Sequence, residues 1–253
     1  MRHLIIGFAW IAPVLLVTLW IRGWPLAGLA ILVFSHALLL IPTLMPNVQW
    51  LGPVTTRFVS DTNEVWLTID DGPTDDTLAL LDMLDTRGVK ATFFVKGSLA
   101  AAYPDRVRAI LDRGHTIGNH TFSHPSGSFW CLGPRAVGAE IDRCAAAIPP
   151  TPWFRAPVGM KNPFVHPALA SRGLLLVGWS VRGFDATRDD EAAVARRIVA
   201  GVRGGAIVVM HQGRSWSVRT IGRVVDELQQ RGHAFITPAP DKQGQVGRRN
   251  TNR

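Results

Sequence analysis

The sequence predicts an α/β domain, a (β/α)7-type barrel, placed behind an N-terminal helical hairpin long enough to cross a membrane. Three observations predict it. Two uncharged apolar runs fill most of residues 1–45; from Glu64 onward short apolar runs alternate with amphipathic ones; and Asp, His and Arg residues collect where the apolar runs end.

Leu4 to Ile21 contains no charged side chain, and neither does Trp24 to Met45. Each run suffices to span ~30 Å of hydrocarbon at ~1.5 Å rise per residue. Arg22-Gly23 makes a tight break between them, and Trp20, Trp24 and Trp50 stand where interfacial aromatics are expected. A cleaved signal peptide is the alternative for the first run, but that run lacks a small-residue cleavage site and a second apolar run follows at once. Residues 1–50 therefore read as two membrane-anchoring helices, and 51–63, opened by Gly52 and Pro53, as a linker. The expected location is a bacterial-type inner membrane with membrane lipid as a partner. The few flanking charges, Arg2, Arg22 and Arg57, leave the side open.

The body follows in repeating units. Glu64–Asp70 reads as a buried strand, Asp76–Arg87 as a helix ended by Gly88, and Val89–Val95 as the next strand. Next come a helix over Pro104–Arg113, a strand at His115–Gly118, a helix over Pro134–Ala147 and a strand at Trp153–Arg155. A helix around His166–Arg172 leads to a strand at Leu174–Trp179 and a helix over Glu191–Arg203. A strand at Ala206–Met210, a helix over Thr220–Arg231 and a strand at His233–Thr237 complete the series. Strands separated by helices pair in parallel through right-handed crossovers, and seven units in residues 64–240 give a barrel one unit short. The site of such a barrel lies at the carboxyl ends of its strands.

Charge separates the function classes. The 253 residues carry 27 Lys and Arg against 19 Asp and Glu, a net +8. Residues 1–50 hold only Arg2 and Arg22, and residues 241–253, read as a basic flexible tail, hold Lys242, Arg248, Arg249 and Arg253 against Asp241. The body keeps a small excess of scattered arginines, without the basic stripe and interleaved aromatics of a nucleic-acid face, so no nucleic-acid partner is expected. Two cysteines, Cys131 and Cys144, make neither a disulfide scaffold nor a thiolate zinc site, although they could bridge each other in an exported domain. Any metal must be held by His and carboxylate.

Asp70-Asp71 closes the first strand, and two adjacent carboxylates at the end of a buried strand repel each other unless a cation joins them. His120 and His124, four residues apart, aim two imidazoles at a common point, and with one carboxylate they supply the three ligands of an open zinc-type site. Helix capping is the competing role for Asp75 and Asp76. Arg155, Asp185 and His211 end or follow later strands at the same face.

Five ordered segments resemble the motifs of the NodB-like polysaccharide deacetylases, carbohydrate esterase family 4. They are Thr68-Ile-Asp-Asp-Gly-Pro73, His120-Thr-Phe-Ser-His-Pro125, Arg155-Ala-Pro-Val-Gly159, Trp179-Ser-Val-Arg-Gly-Phe-Asp185 and Val208-Val-Met-His211. The resemblance covers Glu64 to Pro238 and implies a distorted (β/α) barrel and a metal-dependent hydrolase that removes N-acetyl or O-acetyl groups. It implies Asp71, His120 and His124 as ligands of a divalent ion, zinc first and Co, Mn or Ni as alternatives. Asp70 is then the base, Arg155 its orienting partner, His211 the acid and Asp185 the residue that tunes that acid. The expected substrate is an acylated glycan or a lipid-linked sugar; the competing reading is a catalytically silent glycan-binding module on an anchor. Three positions depart from the family pattern. Val158 stands where an aromatic is usual, Arg182 where the first Asp of the fourth motif is usual, and Ala186 where a Trp is usual. These departures concern the groove more than the metal centre.

Overall fold

A computed structural model describes residues 1–240 and 246–247. The expected basic tail, apart from Val246 and Gly247, lies outside the described residues.

Helices α1 (Arg2–Ile21) and α2 (Pro25–Leu44) form an antiparallel hairpin. Gly23, with φ 80°, occupies the left-handed region that the reversal needs. Gly28 lets α2 approach the α1 backbone, since a Cβ there would meet Leu16 Cα at 2.8 Å, and Phe8 and Phe34 pack edge to face at 6.3 Å. The hairpin is tied to the body at its end. The buried Lys161 ammonium donates to the Met45 and Pro46 carbonyls at 3.0 and 2.8 Å, and Asn47 Nδ2 donates to the Trp179 carbonyl at 2.7 Å. Lys161 thus ties down the turn that follows α2.

The body is a curled parallel sheet. Strands β1 (Glu64–Gly72), β2 (Thr92–Val95), β3 (Thr116–Asn119), β4 (Trp153–Phe154) and β5 (Leu175–Leu176) run outward from β1 on one side. On the other side stand β7 (Ala206–His211) and then β6 (Val181–Arg182). β5 and β6 are the two edges, yet only residues 177–180 join them, so the sheet must bend its edges toward each other. The opening is lined by the segment after the hairpin: Thr55 pairs with the β5 edge through Leu176 and Gly178, and Phe58 N–H donates to the Gly205 carbonyl. The result is a curled half-barrel, the distorted barrel that the sequence implied.

Helices cover the outside: α3 (Thr77–Thr86), α4 (Gly97–Ala102), α5 (Pro104–Asp112), α6 (Pro134–Ala145), α7 (Val165–Ala170), α8 (Glu191–Gly201) and α9 (Ser217–Gln230). β1 shows how one strand serves two environments. Its alternation sends Val65, Leu67 and Ile69 outward into the core with Leu80, Leu84, Val224 and Leu228. Trp66, Thr68 and Asp70 take the opposite parity; Trp66 packs with Phe94, Trp153 and Val209, and its indole N–H donates to Thr92 Oγ1 at 2.7 Å. The polar residues at the inner carboxyl end therefore rest on an aromatic floor.

Two expected strands change. The expected strand at Leu174–Trp179 shrinks to β5, with β6 following it on the opposite edge, and the expected strand at His233–Thr237 shrinks to β8 (Ala234–Phe235), which pairs with Glu64 and Val65 at the start of β1. The short helix α4 and the pair β9 (Ala239–Pro240) and β10 (Val246–Gly247) were not anticipated. Cys131 and Cys144 do not bridge: Cys131 is exposed, whereas Cys144 is buried, its thiol pushed up to about 12 by desolvation.

Candidate active site

The carboxyl ends of the strands bring together all seven residues singled out from the sequence. Asp70, near the end of β1, is buried. Its Oδ1 accepts from Arg155 Nη1 at 2.7 Å, and the same nitrogen donates to Thr68 Oγ1 at 2.8 Å, one pleat below on the same face of β1. Arg155 is wholly buried; its Nε and Nη2 donate to the Val177 and Gly178 carbonyls, and its guanidinium lies 4.1 Å from the Phe94 ring centroid. A buried guanidinium spread over a carboxylate, a hydroxyl, two carbonyls and an aromatic face has one orientation, and it fixes that of Asp70.

The register of β1 with β7 pairs Asp70 with His211, so the two residues sit side by side on neighbouring strands. Asp185 holds His211 from the other side. Its Oδ2 accepts from the His211 backbone N–H at 2.6 Å and its Oδ1 lies 3.1 Å from Nδ1. Burial works against the imidazolium, but the hydrogen bond and charge of Asp185, with Asp70 and Asp71 beyond, outweigh it and raise the His211 pKa above its ordinary value.

His120 and His124 experience the opposite balance. His120 Nδ1 lies 2.8 Å from the Arg155 carbonyl, which can only accept, so Nδ1 carries the proton and Nε2 offers its lone pair. That lone pair faces Asp70 Oδ2 at 3.8 Å and Asp71 Oδ1 at 3.9 Å; His124 Nε2 lies 3.5 Å from Asp71 Oδ1. Burial pushes both imidazoles below their ordinary value, His124 to about 3, so they are neutral at pH 7. Burial would raise the Asp71 carboxyl, but His120 and His124 in their protonated form, reached only in acid, together with the Lys96 ammonium draw it down to about 2.

Two imidazole lone pairs converging on a carboxylate call for a cation. The ligand atoms of Asp71, His120 and His124 all lie within 4.8 Å of one another, and Asp71 Oδ1 is buried without a hydrogen bond of good geometry. Metal–ligand bonds of ~2.1 Å at tetrahedral angles separate ligand atoms by ~3.4 Å. The site needs only a small contraction, and its N2O donor set suits a divalent ion of borderline softness.

The backbone around the site is strained in a telling pattern. Among the described residues, five non-glycine residues have positive φ: Asp71 (78°), Thr121 (64°), His124 (52°), Val158 (48°) and Phe184 (66°). Each lies in one of the motif segments, at the mouth of the sheet. Such conformations cost ~1–3 kcal/mol each and persist where surrounding structure imposes them, typically at functional sites.

Several neighbours of the site escaped the sequence reading. Lys96 ends β2 and places its ammonium 2.9 Å from Asp71 Oδ1; its position at a strand's carboxyl end was the available signal. Gln212 packs over Gly72, which has no room for a Cβ, and Trp216 Nε1 donates to the Asp185 carbonyl at 3.0 Å. Asp76 stands at the N-cap of α3 without capping it by its side chain. Instead its carboxylate accepts from Thr74 Oγ1 and from the Gly213 N–H, tying the loop after β1 to the loop after β7. Asp75 pairs with Arg106 at the surface.

Known proteins share both the sequence and this architecture. The family model for polysaccharide deacetylases matches residues 59–177. A chitooligosaccharide deacetylase of Bradyrhizobium is 34% identical over 205 residues, covering 72% of this chain and 91% of that protein. The peptidoglycan-N-acetylglucosamine deacetylase PgdA of Listeria monocytogenes is 32% identical over 68% of this chain and 37% of its own length. Among solved structures, a family 4 carbohydrate esterase from Streptomyces lividans in complex with acetate superposes with a TM-score of 0.66 at 30% identity, covering 73% of this chain and 97% of that one.

Proposed function

Since the chain belongs to the NodB-like polysaccharide deacetylases, carbohydrate esterase family 4, we propose that it is a membrane-anchored, metal-dependent hydrolase that removes an N-acyl or O-acetyl group from a glycan or lipid-linked sugar. The observation that carries this reading is the side-by-side placement of an Arg155-bound Asp70 and an Asp185-bound His211, next to a three-ligand pocket of Asp71, His120 and His124. The catalytic domain spans 64–240 and the anchor 1–50.

Asp71, His120 and His124 would hold the divalent ion, with zinc the first choice. When bound, such an ion acidifies a water to a pKa of ~7 and polarises an acyl carbonyl. Asp70 takes the proton of the attacking water, and its partnership with Arg155 keeps it aimed. The Val158 backbone N–H, presented from a strained turn, donates to the oxyanion of the tetrahedral intermediate. His211 then gives its proton to the departing amine nitrogen, because an amide nitrogen leaves only when protonated. The C–N bond breaks, releasing acetate and a free amine. A base and an acid are thus needed at once at neutral pH, and Asp70 beside a His211 of raised pKa supplies both.

The hairpin supports the membrane reading. Leu4, Trp10, Ile21 and Leu26 are all more than three-quarters exposed, a density of bare apolar surface that water does not tolerate and lipid does. Both helices are 20 residues long, ~30 Å each.

The test uses the full-length chain in detergent, reconstituted with zinc and given acetylated chito-oligosaccharide, with acetate release as the readout. Asp70→Asn should lower turnover by ~10²–10⁴ and keep the metal, whereas His120→Ala should lose the metal. Undiminished turnover in Asp70→Asn would refute the role of base. Metal binding without turnover of any acylated sugar would favour the silent glycan-binding module.

A further inference from the structure

Beside the His211 side of the mouth stands a cluster that the proposed reaction does not use. Phe184, immediately before Asp185, is held at φ 66° and is 38% exposed. Three guanidiniums converge on that ring. Arg182 lies 3.9 Å from its centroid, Arg197 5.2 Å and Arg188 6.0 Å. Arg182 also reaches to within 5.6 Å of the Trp179 ring, whose other cationic neighbour is Arg155. The cluster is therefore continuous with the catalytic wall, and Arg182 pairs in register with Val209, two residues before His211.

Among the described residues no carboxylate is in direct contact with these guanidiniums; the Asp185 charge acts on Arg182 from a distance. Among the described residues none of the three arginines makes an ion pair, and the one hydrogen bond is a long one from Arg197 to the Gly183 carbonyl. The nearby acids make their direct contacts elsewhere: Asp185 is bound to His211, Asp190 caps α8 through Ala193 N–H, and Glu191 pairs with Arg219. Phe184 explains how three like charges are gathered without being neutralised. An aromatic face attracts a guanidinium but leaves its N–H donors free, whereas a carboxylate would consume them. Planar guanidiniums with free donors match the two or three oxygens of a carboxylate or phosphate.

We propose that Arg182, Arg188 and Arg197, gathered on Phe184, form an anion-binding subsite, and that the substrate is an acylated glycan carrying a carboxylate or phosphate near the acyl group removed. This inference rests on the deacetylase reading and adds the charge class of its substrate. Both anions share the same oxyanion chemistry, and the experiment separates them.

The unmodified full-length enzyme is assayed on matched acylated oligosaccharides that are neutral, carboxylate-bearing or phosphate-bearing. The subsite predicts a KM at least tenfold lower for one anionic form, an advantage that shrinks in 0.5 M salt (~4 Å Debye length). Whichever anion shows the advantage is the one the subsite takes. Equal KM values for all three overturn the subsite while leaving the deacetylase reading intact. Binding of glucuronate and of glucose 1-phosphate, measured calorimetrically without turnover, is compared in the wild type and in the Arg182→Ala/Arg188→Ala/Arg197→Ala variant. At least a tenfold loss in a variant of unchanged metal content supports the subsite, and unchanged binding overturns it. Failure of every substrate to turn over would refute the deacetylase reading instead, with the binding comparison still deciding the subsite.

Discussion

The two halves of the cleft treat the same side chain in opposite ways. On the β1 and β3 side, His120 and His124 are driven neutral by burial, with one proton fixed on His120 Nδ1 by the Arg155 carbonyl, so both rings face the pocket as lone-pair donors. On the β7 side, burial acts on His211 too, but Asp185 reverses the balance and the ring holds its proton to higher pH than an ordinary imidazole. For His120 and His211 the direction of the shift thus follows whether Nδ1 meets a carbonyl or a carboxylate, which suits the one to a ligand's role and the other to an acid's.

The largest break in this comparison comes from Arg155, which serves both halves through Asp70 and through its own carbonyl to His120. Arg155→Met leaves Asp70 buried without its partner and should cost about 3–5 kcal/mol of stability. A lowered unfolding midpoint in detergent measures it, and a midpoint within about 1 kcal/mol of wild type would mean that the pair is not structurally important.

Asp185→Asn tests the acid half. His211 has a raised pKa, so its protonated, proton-donating form persists into the neutral range and is lost as pH rises through that pKa. Removing the carboxylate leaves burial dominant and lowers the pKa, so the alkaline limb of kcat/KM should move to lower pH, with activity at pH 8 falling on the order of tenfold or more. A pH profile that keeps its alkaline limb in place contradicts the assignment.

The smallest effect belongs to Lys96. Its ammonium lies on Asp71 Oδ1, the atom nearest both imidazoles, and competes there with any cation. Both side chains are about a quarter exposed, so the contact is worth ~1 kcal/mol at most after screening. Lys96→Met should tighten metal binding by up to about tenfold, as read by competition with a chromophoric chelator. Weaker binding in that variant would show that Lys96 supports the ion instead of opposing it.

How much of this was readable in advance follows from which interactions are local. Asp70-Asp71 at the end of Glu64–Gly72, the His120 and His124 spacing, and His211 at the end of Ala206–His211 are each signalled by a short apolar run closing on a polar residue. The partners of those residues are not local. Thr68 reads as an ordinary strand threonine, and only the parity of β1 and the arrival of Arg155 from β4 make it a second anchor for that guanidinium. Leu174–Trp179 reads as one strand because an apolar run carries no information about its neighbours. Gly178, whose missing Cβ makes room for Asn47 and Val54, lets the incoming segment interrupt it, and the chain passes to the opposite edge of the sheet. Helix α4 has only six residues, too few for a periodic pattern.

By itself, then, the sequence determined the alternation of elements, the apolar hairpin, and which residues stand at the strands' carboxyl ends, since these depend on runs and periods along the chain. Only the tertiary structure decided the curl of the sheet, the opposite pKa shifts of its histidines, and the gathering of three arginines on Phe184. Each of these depends on which groups meet across distant strands and on how much water they lose there.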